Sequence, residues 1–178
     1  MKSLAILRYV LLATAAVAAA RAQTDDPGGL WAAQWHMTLG QVRTAVLGAA
    51  PVDPPVRNTW TVTRLTAAAT ISGHHFDVLY EFHPLRDEFC AATLIPGPGI
   101  DRPSAFYSIK QALLERYGKP IDEDTTEQTS AIGTPYFQKV VLWTLPATTI
   151  RLTWLEIGGI GGSNVSVRYS LRGFDFAM

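Results

Sequence analysis

The alternation of apolar and polar residues along the chain changes period several times. Leu39, Val42, Val46 and Leu47 recur at near-helical spacing and form one apolar stripe. Thr38 stands before them as an N-cap, and Gln41, three residues on, completes a capping box. Gly48 followed by Pro51 stops this helix, and Pro54 and Pro55 continue as a loop. The period then falls to two. Thr59–Leu65, extended by the Thr/Ala stretch to Thr70, His74–Phe82 and Phe89–Ile95 read as three strands. Ser72-Gly73 makes the first turn and the segment from Pro84 makes the second.

Pro96-Gly97-Pro98-Gly99 breaks the pattern. A second helix, capped by Asp101 or Ser104, runs to about Tyr117 with Ile109, Ala112, Leu113 and Tyr117 on one face. Gly118 and Pro120 end it. An acidic, Thr-rich loop spans Asp122 to Gly133. Three further strands follow, near Tyr136–Leu145, Thr148–Ile157 and Asn164–Arg172. Trp60, Trp143 and Trp154 are the expected aromatic anchors of the core.

Helix and three strands thus occur twice, with the two Gly/Pro stops about 70 residues apart, as a duplication would produce. The expected fold is α+β: a two-layer sandwich of duplicated α-β-β-β halves, residues 36–97 and 98–178. Helices cover one face of a largely antiparallel sheet. Residues 23–35 are expected to be a flexible lead-in.

The front of the chain changes the picture of where it works. Lys2 and Arg8 precede an apolar stretch from Tyr9 to Ala20, and Ala20-Arg21-Ala22 fits a signal-peptidase site. That stretch is shorter than the roughly 20 residues a membrane-spanning helix needs. Residues 1–22 are therefore expected to be a cleaved signal peptide, leaving a periplasmic or secreted chain with no stable membrane anchor. Without Lys2, Arg8 and Arg21 the basic residues fall from 15 to 12, against 15 acidic. That balance argues against a nucleic-acid partner, which needs clustered Lys and Arg. A single cysteine, Cys90, cannot form an intramolecular bridge, and its apolar neighbours make it a buried residue.

The helix from Met37-Thr38 to Leu47-Gly48-Ala49-Ala50-Pro51, followed by a Trp-bearing strand, resembles the small outer-membrane-assembly lipoprotein family of the SmpA/OmlA type. A tandem pair of such units resembles the β-lactamase-inhibitor-protein architecture. The chain carries neither the lipid-anchor cysteine of the former nor the paired cysteines of the latter. The resemblance implies a sheet whose helix-free face is a concave, protein-binding surface.

Candidate chemistry is densest in His74–His83. Alternation places Phe76, Val78, Tyr80 and Phe82 on the core face, and His75, Asp77, Glu81 and His83 on the other. Two imidazoles and two carboxylates are zinc-type ligands, so a metal site or a hydrolase built on His75, Asp77, Glu81 and His83 is the alternative reading. Residues two apart on a strand stand roughly 6.5–7 Å apart, too far to converge on one ion without help from another strand. Arg151, Arg168 and Arg172 fall on the polar side of the last strands. With the His/Asp/Glu row they form the expected protein-binding face.

No serine lies in a Gly-x-Ser-x-Gly elbow. The Gly158–Gly162 run precedes no helix and so makes no phosphate cradle. The acidic loop lacks calcium-loop spacing. The sequence therefore favours a non-enzymatic, cofactor-free protein that binds a protein partner of the cell envelope. A purely structural envelope role is the third reading.

Overall fold

The computed structural model describes residues 26–71, 73–129, 133–158 and 162–174. The expected signal peptide, 1–22, and most of the Gly158–Gly162 loop lie outside them. These described residues are mostly β, with two helices, one small two-stranded sheet and one large antiparallel sheet of eight strands.

Of the expected flexible lead-in over 23–35, residues 23–25 lie outside the described residues, and 26–35 carry two short strands that pack on the core. Strands β1 (Gly29–Leu30) and β2 (Ala33–Gln34) form a short ribbon. A Cβ on Gly29 would overlap the Ala33 carbonyl oxygen, so the two strands approach this closely only with glycine there. The ribbon buries Leu30, Ala33 and Trp35 in the core.

Helix α1 (Leu39–Ala45) begins as its sequence dictates. The Thr38 side chain accepts from the Gln41 backbone, and the Gln41 side chain accepts from the Thr38 backbone. Val46 already has extended dihedrals, so the helix stops after seven residues. Leu47, expected on the apolar stripe, falls beyond the last turn and is 99% exposed.

Strand β3 (Ala50–Arg57) occupies the Pro-rich segment expected to be a loop. It is an edge strand, where proline's missing N–H is tolerated, and its register with its neighbour shifts between Pro51 and Val56. Next come β4 (Val62–Ile71), β5 (His74–Phe82) and β6 (Phe89–Pro96), the three strands the alternation predicts. Trp60 precedes β4 and is 56% exposed, so the aromatic anchor of this part of the core is Trp35 instead.

Helix α2 (Arg102–Tyr117) starts at Asp101, whose carboxylate accepts from the Ser104 N–H, and ends at Gly118. It buries Ala105, Phe106, Ile109, Leu113 and Tyr117. The acidic segment that follows is a second edge strand, β7 (Asp122–Thr129), and not a loop. Its carboxylates are accommodated because an edge leaves them in water, and Lys110 of α2 reaches Glu123 at 2.6 Å. Strands β8 (Pro135–Thr144), β9 (Thr148–Ile157) and β10 (Gly162–Leu171) complete the chain.

The strand order is β3-β4-β5-β6-β10-β9-β8-β7, all antiparallel. Each helix is therefore followed by four strands rather than the expected three. The last strands of the two sets, β6 and β10, meet in the middle through four residue pairs, Ala91↔Ser170 to Leu94↔Val167.

Phe76, Val78 and Tyr80 of β5, with Leu94, Leu152, Val165 and Val167, share one face and pack with Val42 of α1 and Leu113 of α2 in a single core. Both helices therefore lie on that side, as the pattern predicts. Cys90 is buried, 2% exposed.

The ribbon crosses the meeting line of the two strand sets. His36 and Met37 exchange backbone hydrogen bonds with Phe89 at the start of β6. On the far side the Trp35 indole donates to Thr148 Oγ1 at 3.0 Å. The Asp26 carboxylate accepts from Gly28 N, Ala147 N and Thr148 Oγ1.

Burial opposes ionisation of Asp26, but the hydrogen bonds from Thr148, Ala147 and Gly28 outweigh it and hold the carboxyl below the ordinary 3.8. A folded-state value below the unfolded one stabilises the fold fully above the unfolded value. That contribution disappears as pH falls through the folded one. Asp26→Asn should therefore lower stability at neutral pH. The gap to the unsubstituted protein should narrow progressively as pH falls below 3.8, which chemical denaturation across a pH series will show.

Phe89 touches Trp35, Tyr80 and Phe82 with ring centroids 5.0–5.9 Å apart. Phe89→Ala should cost about 3–5 kcal/mol. Leu47→Ala should stay within about 0.5 kcal/mol of the parent. The same denaturation curves compare them.

Candidate functional site: the helix-free face of the sheet

The polar positions of β5 emerge on the face opposite the helices. Register carries one row across the sheet: Leu79 of β5 stands beside Thr93 of β6, Thr93 beside Arg168 of β10, Arg168 beside Arg151 of β9, and Arg151 beside Leu142 of β8. All five are half-buried. Two residues along, Asp77 stands beside Ile95 and Val140 beside Thr153. Half-exposed aliphatic, hydroxyl and arginine side chains thus alternate over the middle of this face.

One ion pair lies at its centre. Glu81 is only 2% exposed, although it was expected on a solvated row. Its Oε1 accepts from Arg168 Nη1 at 2.6 Å and from Thr93 Oγ1 at 2.7 Å. Its Oε2 accepts from Thr61 Oγ1 at 2.5 Å. Arg168 Nη1 also donates to Thr93 Oγ1 at 3.1 Å. Three partners from three separate chain segments make this burial tolerable, since a buried carboxylate needs both a counter-charge and hydrogen bonds.

Directly across from Arg168 lies a second cation, Arg151. Like charges side by side on neighbouring strands repel, and Glu81 answers only one of them. The Arg151 Nε is buried and has no hydrogen-bond partner among the described residues.

The remaining expected site residues disperse. The exposed ring of His75 stands 3.2 Å from the Thr70 hydroxyl on the neighbouring strand. Asp77 is exposed on the same face. His83 leaves the row at the strand end, after a register shift between Glu81 and Phe82. Its Nδ1 accepts from the Leu85 and Arg86 N–H groups and shapes the turn to β6. Arg172 is exposed just past β10, where its N–H donates to the Ala147 carbonyl.

The four candidate metal ligands, His75, Asp77, Glu81 and His83, are therefore not brought to one point. Among the described residues no group of three or more His, Cys, Asp or Glu side chains is placed to hold a metal ion. The zinc-type alternative loses its geometric basis, because Glu81 is engaged by Arg168 and His83 by its own turn.

Thr61 and Thr93 are the residues of this site that sequence reasoning missed. Only the register of β6, set by long-range pairing, brings Thr93 between Glu81 and Arg168. Among the described residues no helix is long and apolar enough to cross a membrane. No family model, no curated protein and no solved structure matches this chain.

Removing Arg168 should strand a buried charge. Arg168→Met is expected to cost about 3 kcal/mol, whereas Glu81→Gln, which leaves a half-buried arginine able to hydrate, costs about 1. The double substitution should recover most of the loss in Arg168→Met. A strictly additive double-mutant cycle, read by urea denaturation, would show that the pair is not coupled.

Proposed function

We propose that this chain is a periplasmic or secreted, non-enzymatic module that binds another protein through the helix-free face of its sheet. The single observation that carries this reading is Arg151. Its Nε is buried and unmet in the middle of that face, beside an Arg168 that Glu81 already neutralises. A carboxylate from a partner laid on this face would offset the charge of Arg151 that Glu81 does not answer. Around this centre the half-buried Leu79, Ile95, Val140 and Leu142 offer apolar area interleaved with threonines. Apolar area with arginine as the prominent charge is the composition of interface centres.

Location outside the cytoplasm rests on the basic, apolar and Ala-x-Ala segments at the front of the sequence. The mirrored strand order supports reading the molecule as a duplicated unit, here a helix followed by four strands. In the tandem inhibitor-type architectures that the sequence resembles, the helix-free face is the binding face. An envelope component or a hydrolase is the class of partner that this likeness implies.

Affinity capture of the partner from the cell's own envelope extract tests the reading. Arg151→Glu and Thr153→Trp should each reduce captured partner at least tenfold. Lys119→Glu, an exposed change just beyond the end of α2, should leave it unchanged. Equal recovery by all three variants, each shown to fold, would refute it.

A further inference from the structure

Three loops come together at the end of the sheet where β5 passes into β6. The β3–β4 turn lies there, because Arg57 at the end of β3 pairs with Val62, and Val62 pairs with Phe82 at the end of β5. The β5–β6 turn stands beside it, and Arg64 Nε reaches Asp87 Oδ1 at 3.2 Å between the two. The segment after β10 completes the group: the Phe174 ring meets the His83 ring edge-on, with centroids 5.5 Å apart.

Each of the two turns lifts one large apolar side chain into water. Trp60 is 56% exposed and Leu85 is 90% exposed. The turn that carries Leu85 is held in shape by His83, whose Nδ1 accepts from the Leu85 and Arg86 N–H groups. The charges around the two side chains are mainly positive. Arg57, Arg86 and Arg172 are exposed, and with Arg64 they stand against the carboxylates of Asp87 and Glu88. Asp87 faces Arg64, and Glu88 is held by His36 at 3.0 Å. This local excess is opposite in sign to the chain from Gln23 onward, where 15 acidic residues outnumber the 12 basic ones left without Lys2, Arg8 and Arg21.

We propose that this end of the sheet docks reversibly on a membrane surface of anionic phospholipid. Trp60 and Leu85 enter the headgroup boundary, and Arg57, Arg86 and Arg172 lie against the anionic headgroups. An indole favours that boundary, because its ring is apolar and its N–H is polar. Arginine keeps its stem along apolar surface and its charged head among phosphates. A yielding lipid surface accepts single side chains that protrude from separate turns, whereas a protein partner needs a matched hollow for each. Apolar insertion and basic attraction act together, as attachment to a membrane surface requires. The strand ends are distinct from the open face that carries Arg151, so this site stands or falls independently of the protein-binding reading.

Cosedimentation with lipid vesicles tests it, using the chain from Gln23, which lacks the apolar Tyr9–Ala20 stretch. Vesicles of phosphatidylcholine with about 30% phosphatidylserine should bind at least about tenfold more tightly than phosphatidylcholine alone. Added salt should weaken that binding. Leu85→Ser should lower affinity about tenfold. Arg86→Glu combined with Arg172→Glu should lower it at least as much, since each arginine beside an anionic surface is worth about fivefold. Leu47→Ser removes a comparably exposed leucine toward the other end of β4 and should change nothing. Lipids brominated in their acyl chains should quench a part of the tryptophan emission that Trp60→Phe removes. No preference for anionic vesicles, equal binding by Leu85→Ser, or quenching undiminished in Trp60→Phe would each overturn the proposal. So would failure to bind vesicles together with capture of an acidic protein that Leu85→Ser loses, which would make this end a protein-docking site.

Discussion

The molecule depends on one narrow junction. Eight strands form a continuous sheet only because β6 pairs with β10, and that pairing has four residue pairs where β9 and β10 share ten. Backbone hydrogen bonds over so short a register are a slender link between two four-stranded blocks. Both faces supply the reinforcement. On the helix-free side, Glu81 reaches past Thr93 to Arg168 and ties β5 to β10. On the helix side, the ribbon binds Phe89 at one end, while Asp26 and Trp35 bind Ala147 and Thr148 across the line. The same Arg168 that braces the junction also contributes to the charge of the open face.

The two faces divide the chemistry. The helix side concentrates the aromatic and aliphatic residues. The other side is a broad, half-wetted surface whose centre carries an arginine that lacks a full set of acceptors. Tyr80 and Glu81 are adjacent in sequence and point to opposite sides of β5.

Legibility in the sequence followed the strength of local signals. The capping box at Thr38 and Gln41, the Asp101 cap, and the period-two runs of the inner strands announce themselves because neighbouring residues suffice to specify them. The core face of β5 was legible for the same reason. The edge strands β3 and β7 were not: prolines in one and carboxylates in the other are loop composition, and only an edge position makes them compatible with a strand. Trp35 was hidden in a segment too short to show any period. Trp60 misled because its strand begins three residues later than the alternation implies. Of the expected site residues, alternation put Glu81 and Arg168 on one face correctly. It could not reveal that Thr61, Thr93 and Arg168 converge on Glu81, since that requires registers between segments far apart in the chain.

The sheet's two margins carry a consequence for behaviour in a crowded compartment. One border is interrupted by Pro51, Pro54 and Pro55, and the other bears Asp122, Glu123, Asp124 and Glu127. A foreign strand seeking to knit onto either border meets missing donors at the first and repulsion from its own copy at the second. Copies of the molecule are thereby discouraged from polymerising through their backbones. Contacts between copies are left to side chains rather than to backbone edges.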